Sequence, residues 1–228
     1  MKNRIAQATL DAIDARVAER GLLQHPFYQR WTKGELTIPI LQDYAKQYYR
    51  HVAAFPTYLS AVHSHTEDQA TRRRLLANLM DEEAGNPNHP ELWMQFAEGL
   101  GVEREDVEAA EPRTETNNLV EMLRSICRGG QTAEGLAALY AYESQIPAVS
   151  ESKIDGLQRF YGIDSSDALA YFRVHIEADR EHSAIERKLL EEHITEENKA
   201  AVLESVDKTL EVLWEMLSGI SRQHELTC

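Results

Sequence analysis

Six side chains in the sequence are of types that bind redox metals through nitrogen or oxygen: Glu82, His89, Glu143, His175, Asp179 and His182. Three of them fall in the run His175–His182 at positions i, i+4 and i+7, which share one face of an α-helix. Three carboxylates and three imidazoles are enough ligands for two metal ions with open positions. Because carboxylate-bridged metal pairs occur inside helical bundles, the sequence predicts a dinuclear redox site.

The pair Glu82 and His89 is less regularly placed than the run on the later helix. Pro87 and Pro90 argue against one continuous helix through both residues, because an interior proline removes a backbone hydrogen bond. We therefore expect His89 to enter the site from a turn or from the start of a helix. Glu83 is a rival to Glu82 that the spacing does not exclude.

Apolar neighbours indicate that these polar side chains are buried. Glu143 follows the apolar segment 136–142, and Tyr171, Val174 and Ala178 flank the stripe that contains His175. A carboxylate buried in such surroundings needs a partner, and a cation is one.

Helical periodicity extends over nearly the whole chain, and strand-like alternation is absent. We predict a single all-α domain, residues 1–228, built as a bundle of seven or eight helices. Residues 102–118 are expected to form an irregular surface connection. The predicted helices are Ile5–Leu22, Phe27–Lys33, one from Thr37 to about His65, one from Asp68 to Glu83, one from Pro90, Asn118–Arg128, one from Thr132 to about Tyr161 bent at Pro147, one capped by Asp164 or Ser165, and a last one capped by Thr195.

Composition narrows the possible partners and the cellular location. The net charge of -14 argues against nucleic acid, which is bound mainly by basic surfaces. No apolar stretch reaches the ~20 residues that a membrane span needs, so no membrane partner is expected. Two cysteines, Cys127 and Cys228, cannot form a disulfide framework, and the N-terminus has no apolar signal segment. We therefore expect a cytoplasmic protein.

Four segments together resemble a known family: His25–Trp31, Asp81–Pro90, Tyr142–Pro147 and His175–His182. The order of ligand-type residues in them resembles the signature of haem-oxygenase-like dinuclear metal oxidases. Within these oxidases, the sequence is most similar to the family of the chlamydial protein associating with death domains and its bacterial relatives. The resemblance spans nearly the whole chain and implies a haem-oxygenase-like helical bundle.

The resemblance also implies an unusual reaction. Members of this family make p-aminobenzoate for folate synthesis by a self-sacrificing route, in which an internal tyrosine supplies the ring and an internal lysine the amino group. Tyr28 matches the sacrificed tyrosine, Lys153 the amino donor, and Tyr142 a tyrosine near the metals. The implied cofactors are two metal ions, Fe/Fe or Fe/Mn, with dioxygen and an external reductant as co-substrates. An unidentified electron donor and a homodimer are implied as well.

Each of these three residues also has a plainer interpretation. Tyr28 lies beside Phe27 and could be a core aromatic residue, and Lys153 could be a solvated surface lysine. Tyr142 is offset from Glu143 by ~100° on a regular helix.

Three other functions stay open at this point. The first is a conventional dinuclear oxidase of an external small molecule. The second is a metal-free small-molecule-binding protein or a thiamin-salvage-like hydrolase with a cysteine nucleophile. The third is an interaction protein whose acidic surface binds a basic partner.

Overall fold

The computed structural model describes residues 2–226, and within this range the chain is helical with short connections. These residues form eleven α-helices and, between the first two, the 3₁₀ helix Leu22–Gln24. The α-helices are α1 Lys2–Arg20, α2 Pro26–Trp31, α3 Ile38–His65, α4 Gln69–Glu83, α5 His89–Gly99, α6 Arg104–Ala109, α7 Thr114–Gly129, α8 Thr132–Glu143, α9 Ile146–Phe160, α10 Ser166–His193 and α11 Lys199–Gln223. The prediction of an all-α fold is confirmed. None of the helices in residues 2–226 combines the length and the apolar character required to cross a bilayer.

Two long helices, α3 and α10, organise the bundle. Helix α3 packs against α4, α5 and α7, whereas α10 packs against α5, α8 and α9. Helix α11 closes the opposite side against α7 and α8. The buried apolar side chains of all these helices form one continuous core, as expected of a single domain.

Capping side chains fix the starts of three helices that surround the centre of the bundle. An oxygen of Asp68 accepts a hydrogen bond from the backbone N–H of Thr71 at the start of α4 (2.6 Å). Asn88 caps α5 in the same way, and Ser165 caps α10. Because these caps satisfy N–H groups that have no partner inside the helix, they define where each helix begins. The predicted helix start at Asp68 is confirmed, and of the two predicted caps Asp164 and Ser165, the structure has Ser165.

The predicted single helix from Thr132 to about Tyr161 is wrong, because the chain forms two helices there. Helix α8 ends at Glu143, and α9 begins at Ile146. Pro147 has no N–H to donate, which breaks an ongoing helix but suits the first turn of a new one. Because of this break, the last residue of α8 is Glu143, one of the predicted ligands.

Other helices also differ from the predictions, and they raise the observed helix count above seven or eight. Residues 102–118 are not irregular throughout, since they contain α6 and the first residues of α7. Two acidic residues lie in the first turn of α6, where they stabilise the helix dipole, and Val107 anchors it in the core. The last helix begins at Lys199, because Thr195 and Asn198 hydrogen-bond each other in a turn that precedes it.

A close approach between α9 and α2 depends on Gly156. A Cβ atom at this position would lie 2.5 Å from Cδ1 of Trp31 and 3.3 Å from its backbone oxygen. The Trp31 ring in turn packs against Tyr28 and Tyr44 in the core. Glycine is therefore the residue that lets these helices meet without displacing the tyrosines.

We expect the substitution Gly156→Ala to lower the free energy of unfolding by about 1–3 kcal/mol, the usual cost of overpacking a core. Chemical denaturation followed by circular dichroism measures this change. Gly129→Ala is the matched control, since nothing lies within 4 Å of the added methyl at the end of α7. Equal effects of the two substitutions would contradict the proposed steric role of Gly156.

Candidate metal centre

Four helices bring the six predicted ligand residues to one place in the core. Helix α4 contributes Glu82, α5 contributes His89, α8 contributes Glu143, and α10 contributes the remaining three residues. All six side chains are buried. They form two groups of three, and within each group the potential ligand atoms lie within 4.8 Å of one another.

The first group consists of Glu82, His89 and His175. Oε2 of Glu82 lies 2.9 Å from Nδ1 of His89, and the two imidazole rings are 4.4 Å apart between centroids. Nδ1 of His175 lies 2.7 Å from the backbone oxygen of Tyr171. A hydrogen bond there places the ring proton on Nδ1, which leaves the lone pair of Nε2 free for a metal.

The second group consists of Glu143, Asp179 and His182. Nδ1 of His182 lies 3.5 Å from Oε1 of Glu143 and 3.6 Å from Oδ1 of Asp179. On its other side, Nε2 of His182 contacts the half-exposed Asp81 at 3.0 Å. Asn78 donates a hydrogen bond to Oε1 of Glu143 (2.9 Å). The second group therefore has outer partners that orient its ligands.

Buried atoms without hydrogen-bond partners test whether metal ions fit these groups. Oε2 of Glu143, Oδ2 of Asp179 and Nδ1 of His182 have no hydrogen-bond partner. Burial raises the pKa of the Asp179 carboxyl to about 8. A dication would lower this pKa again, because it stabilises the ionised carboxylate. The donor set of carboxylates and imidazoles thus fits two divalent ions.

The two alternatives for the ligand on α4 differ sharply in their positions. Glu82 is buried and faces His89, whereas Glu83 is exposed. His89 is the first residue of α5, so it reaches the site from a helix start, as the prolines around it predict.

Tyr28 and Lys153 meet in a second polar cluster within the aromatic core. Their exposed fractions are 1% and 3%, so the interpretation of Lys153 as a surface lysine is wrong. Nζ of Lys153 donates a hydrogen bond to the hydroxyl of Tyr44 (2.7 Å), which is itself 2.9 Å from the hydroxyl of Tyr28. The hydroxyl of Tyr44 therefore connects the amine of Lys153 to the hydroxyl of Tyr28.

Tyr142 lies beside the metal groups despite its offset from Glu143. Its hydroxyl is hydrogen-bonded to that of Tyr48 (2.8 Å). Both Tyr142 and Glu143 line a cavity of about 10 Å³, together with Tyr171 and His175. Because a single water needs about this volume, the cavity has no room for an organic substrate.

Stacked and edge-on aromatic rings connect the metal groups to the cluster of Lys153. Centroid distances are 4.0 Å from His175 to Tyr171, 4.8 Å from Tyr171 to Trp93 and 4.9 Å from Trp93 to Tyr48. The ring of Tyr44 follows at 5.2 Å from Tyr48. A continuous row of aromatic contacts thus joins the two polar clusters.

Sequence reasoning missed two buried polar residues next to the centre. Glu186 follows His182 by one helical turn, and its continuation of the α10 stripe could have identified it. His51 contacts the Tyr142 ring at 4.7 Å, and burial lowers its pKa to about 3. Nothing in the sequence around His51 distinguishes it from the other histidines.

The structure places Cys127 in surroundings that do not suit a nucleophile. Burial raises the pKa of its thiol to about 12, so the reactive thiolate is scarce at neutral pH. Cys228 lies outside the described residues.

We expect Asp81→Ala to weaken metal binding by about 10- to 100-fold, the typical effect of losing an outer partner of a histidine ligand. Anaerobic titration of the metal-free protein with Mn²⁺ measures the affinity. Glu83→Ala removes an exposed carboxylate two residues away and serves as the control. Identical affinities of the two variants would contradict the orienting role of Asp81.

Comparisons with known proteins identify the family to which the chain belongs. The iron-containing redox enzyme family matches residues 42–214. A 4-aminobenzoate synthase of Chlamydia pneumoniae is 44% identical over 216 residues, which cover 95% of this chain and 96% of that protein. A 4-aminobenzoate synthase of Nitrosomonas europaea is 43% identical over 226 residues, with 95% and 91% covered.

Solved structures at low sequence identity share the fold. A CADD-like protein of unknown function from Nostoc punctiforme has a TM-score of 0.79 at 16% identity, and the match covers 96% of this chain and 97% of that one. A TenA homologue from Pseudomonas syringae has a TM-score of 0.76 at 17% identity, with 95% and 91% covered. The matched family and the relatives at 43–44% identity confirm the resemblance seen in the sequence, and the chain belongs to the haem-oxygenase-like iron-containing redox enzymes.

Proposed function

We propose that the protein makes p-aminobenzoate from its own side chains. In this reaction the Cα–Cβ bond of Tyr28 breaks, and dioxygen oxidises the released Cβ to the carboxylate of a benzoate. Nitrogen from Lys153 replaces the phenolic oxygen, which leaves as water, as the carbon–nitrogen bond of the lysine side chain breaks. The similarity to the 4-aminobenzoate synthases of Chlamydia pneumoniae and Nitrosomonas europaea supports this product. The proposal includes dioxygen and an external electron donor as co-substrates.

The observation that carries the proposal is the burial of Lys153 against the tyrosines. Its Nζ lies 5.3 Å from the ring centroid of Tyr28 and 5.1 Å from that of Tyr44. A lysine is rarely buried without a charged partner, because desolvation disfavours the ammonium form. Here the loss of solvation lowers the pKa of Lys153 to about 7, so much of it is a neutral amine at neutral pH. A neutral amine is a competent nucleophile.

Tyr44 positions the two reacting groups and can carry a proton between them. Its hydroxyl accepts a hydrogen bond from the amine of Lys153 and is hydrogen-bonded to the phenol of Tyr28. The aromatic surroundings exclude water, which protects a reactive ring or amine from side reactions. Trp31 and Trp93 contact Tyr44 from two sides and hold this arrangement.

The metal centre is proposed to supply the oxidising power. When bound by the two groups of ligands, two iron ions or an iron–manganese pair provide redox chemistry with dioxygen. The proposed ligands of these two ions are the first and second groups of three residues described above. Tyr142 and the row of aromatic rings connect that centre to Tyr28.

A surface depression favours a second candidate function, the oxidation of an external small molecule. This depression has a volume of about 690 Å³ and is lined by His89, Met80 and Val174 among others. It approaches the first metal group from the solvent side, whereas the cavity on the Tyr142 side is too small for an organic substrate.

Intact-mass measurement tests the proposed function directly. The metal-free protein is incubated with iron, with or without manganese, and with a reductant in air. We expect p-aminobenzoate in no more than one equivalent per chain, together with a mass loss at Tyr28, which gives up its ring, and a mass change at Lys153, which gives up its nitrogen. Unchanged protein mass with oxidation of an added substrate would favour the external-substrate function instead.

Matched variants separate the roles of the reacting residues from general damage. Tyr28→Phe and Lys153→Met should both abolish p-aminobenzoate while retaining bound metal. Tyr49→Phe and Lys46→Met are controls on α3, since both side chains are only half-buried. Product formation by either Tyr28→Phe or Lys153→Met would overturn the assigned role of that residue.

The burial of Lys153 also predicts a pH-dependent effect on stability. The folded pKa of about 7 lies below the ordinary value of 10.5, so between these pH values the unfolded chain binds more protons. The free energy of unfolding of the wild type therefore increases as the pH rises through this window. Lys153 contributes about 1.4 kcal/mol per pH unit to this increase.

The variant Lys153→Met lacks this pH-dependent contribution. Its free energy of unfolding should therefore exceed that of the wild type most below pH 7, and the difference should shrink towards pH 10.5. Chemical denaturation of both metal-free proteins at several pH values measures the difference. A difference that does not change with pH would show that Lys153 keeps its charge in the folded state.

A further inference from the structure

Glu186 extends the row of ligand-type side chains on α10. His175, Asp179, His182 and Glu186 occupy positions i, i+4, i+7 and i+11 of one helix. These positions return to the same face, because three turns of an α-helix contain about 11 residues. All four side chains are buried, and Glu186 is 3% exposed. The helix therefore presents a fourth ligand-type side chain one turn beyond the second metal group.

Within the described part of the chain, neither carboxylate oxygen of Glu186 has a hydrogen-bond partner. Glu186 faces Glu143, whose Oε2 is also without a partner. Burial and, after it, the charge of Glu143 raise the pKa of Glu186 well above its usual range. Two buried carboxylates that face each other without a donor between them are unfavourable, unless a proton or a cation lies between them.

The remaining contacts point to a cation. Oδ2 of Asp179 and Nδ1 of His182 also lack hydrogen-bond partners among the described residues, and both side chains belong to the same close group as Glu143. Glu186 lies against this group through its contact with Glu143. A single shared proton would satisfy only the Glu143–Glu186 pair. One divalent ion would satisfy the carboxylates and the imidazole together.

We propose that Glu186 is a further ligand of the metal ion held by Glu143, Asp179 and His182. This inference rests on the proposed metal centre but not on the identity of the product. With Glu186, the second site offers three carboxylates and one imidazole, whereas the first site offers one carboxylate and two imidazoles. Oxygen-rich sites suit Mn²⁺ and nitrogen-rich sites suit iron, so the two positions differ in metal preference.

A polar cavity beside Glu186 provides an approach to this second site. It lies between α4 and α10 and has a volume of about 80 Å³. Its polar lining consists of Arg74, Asn78, Asp81, Glu181, His182 and Glu186, and the rest of the lining is apolar. This volume holds a few water molecules. A hydrated ion entering from the surface would meet the exposed carboxylates of Asp81 and Glu181 first.

The test is anaerobic titration with Mn²⁺ alone, in which paramagnetic resonance distinguishes bound from free ion. Wild-type protein should bind two ions per chain. Glu186→Gln should retain one and bind the other at least about 10-fold more weakly, which is the lower end for losing even an outer partner of a ligand. Glu192→Gln is the control, because it removes an exposed carboxylate from the same helix at a position outside this cavity.

Thermal unfolding separates ligation from a purely structural role. Gln has the size of Glu without its charge, so metal-free Glu186→Gln should be at least as stable as metal-free wild type. The increase in Tm caused by Mn²⁺ should be smaller in the variant, because a bound ion stabilises only the folded state that holds it. A lower Tm of the metal-free variant with an unchanged Mn²⁺-induced increase would assign Glu186 a structural role.

The visible spectrum of bound Co²⁺ provides a second readout, since it responds to the number of ligands. It should change in Glu186→Gln if Glu186 coordinates the ion and stay the same if it does not. Two ions bound with wild-type affinity in Glu186→Gln would overturn the inference and leave the proposed function intact. Failure of the wild type to bind a second ion both with Mn²⁺ alone and with Fe²⁺ added would overturn the dinuclear centre itself.

Discussion

The structure depends most on the cost of keeping ionisable groups away from water. Glu82, Glu143, Asp179 and Glu186 are all buried in the middle of a helical bundle. In the absence of a cation their charges oppose one another, and several of their oxygens have no donor. Bound metal ions would attract these carboxylates and would hold the helices together, since each ion would bind side chains from more than one helix. The centre of the bundle is therefore arranged for a charge that the protein chain itself does not contain.

The buried amine of Lys153 responds to the loss of water in the opposite way. Among residues 2–226, no carboxylate forms an ion pair with Lys153, and the rings of Tyr28, Tyr44, Tyr48 and other aromatic residues lie around its amine. These rings attract a cation weakly but do not replace water, so the amine gives up its proton instead. The two clusters thus keep their groups in contrasting states within a single core. Acidic side chains remain ready for metal on one side, and a basic side chain stays neutral on the other.

Much of this arrangement could be predicted from local sequence. The stripe from His175 to His182 specifies its own geometry, because helix periodicity alone puts the three side chains on one face. The starts of α4 at Asp68 and of α10 at Asp164 or Ser165 were also predictable to within one residue, since capping depends on the side chain and the next three residues. The consequence of Pro147 was harder to predict, because a proline can either bend a helix or start a new one. Which outcome occurs depends on the packing around the break.

The burial of Lys153 and the choice between Glu82 and Glu83 depend on contacts between distant parts of the chain. The sequence around Lys153 is polar and resembles a surface segment, but α9 turns this one side chain towards α3. Glu83 has the same chemistry as Glu82, and only the direction of α4 relative to α5 distinguishes them. Spacing could have identified Glu186, but its significance depends on the facing Glu143 from another helix.

The position of Tyr28 has a consequence for the life of the protein after it reacts. The ring is fully enclosed on the short helix α2, with Phe27, Trp31 and Tyr44 around it. Loss of a buried aromatic ring costs about 3–5 kcal/mol, which is a large part of the 5–15 kcal/mol that holds a typical domain together. Under the proposed function, a spent chain would carry a cavity in its core and unfold more readily than a fresh one. Proteases that act on unfolded chains would then remove used molecules preferentially, and the supply of product would follow the rate of protein synthesis.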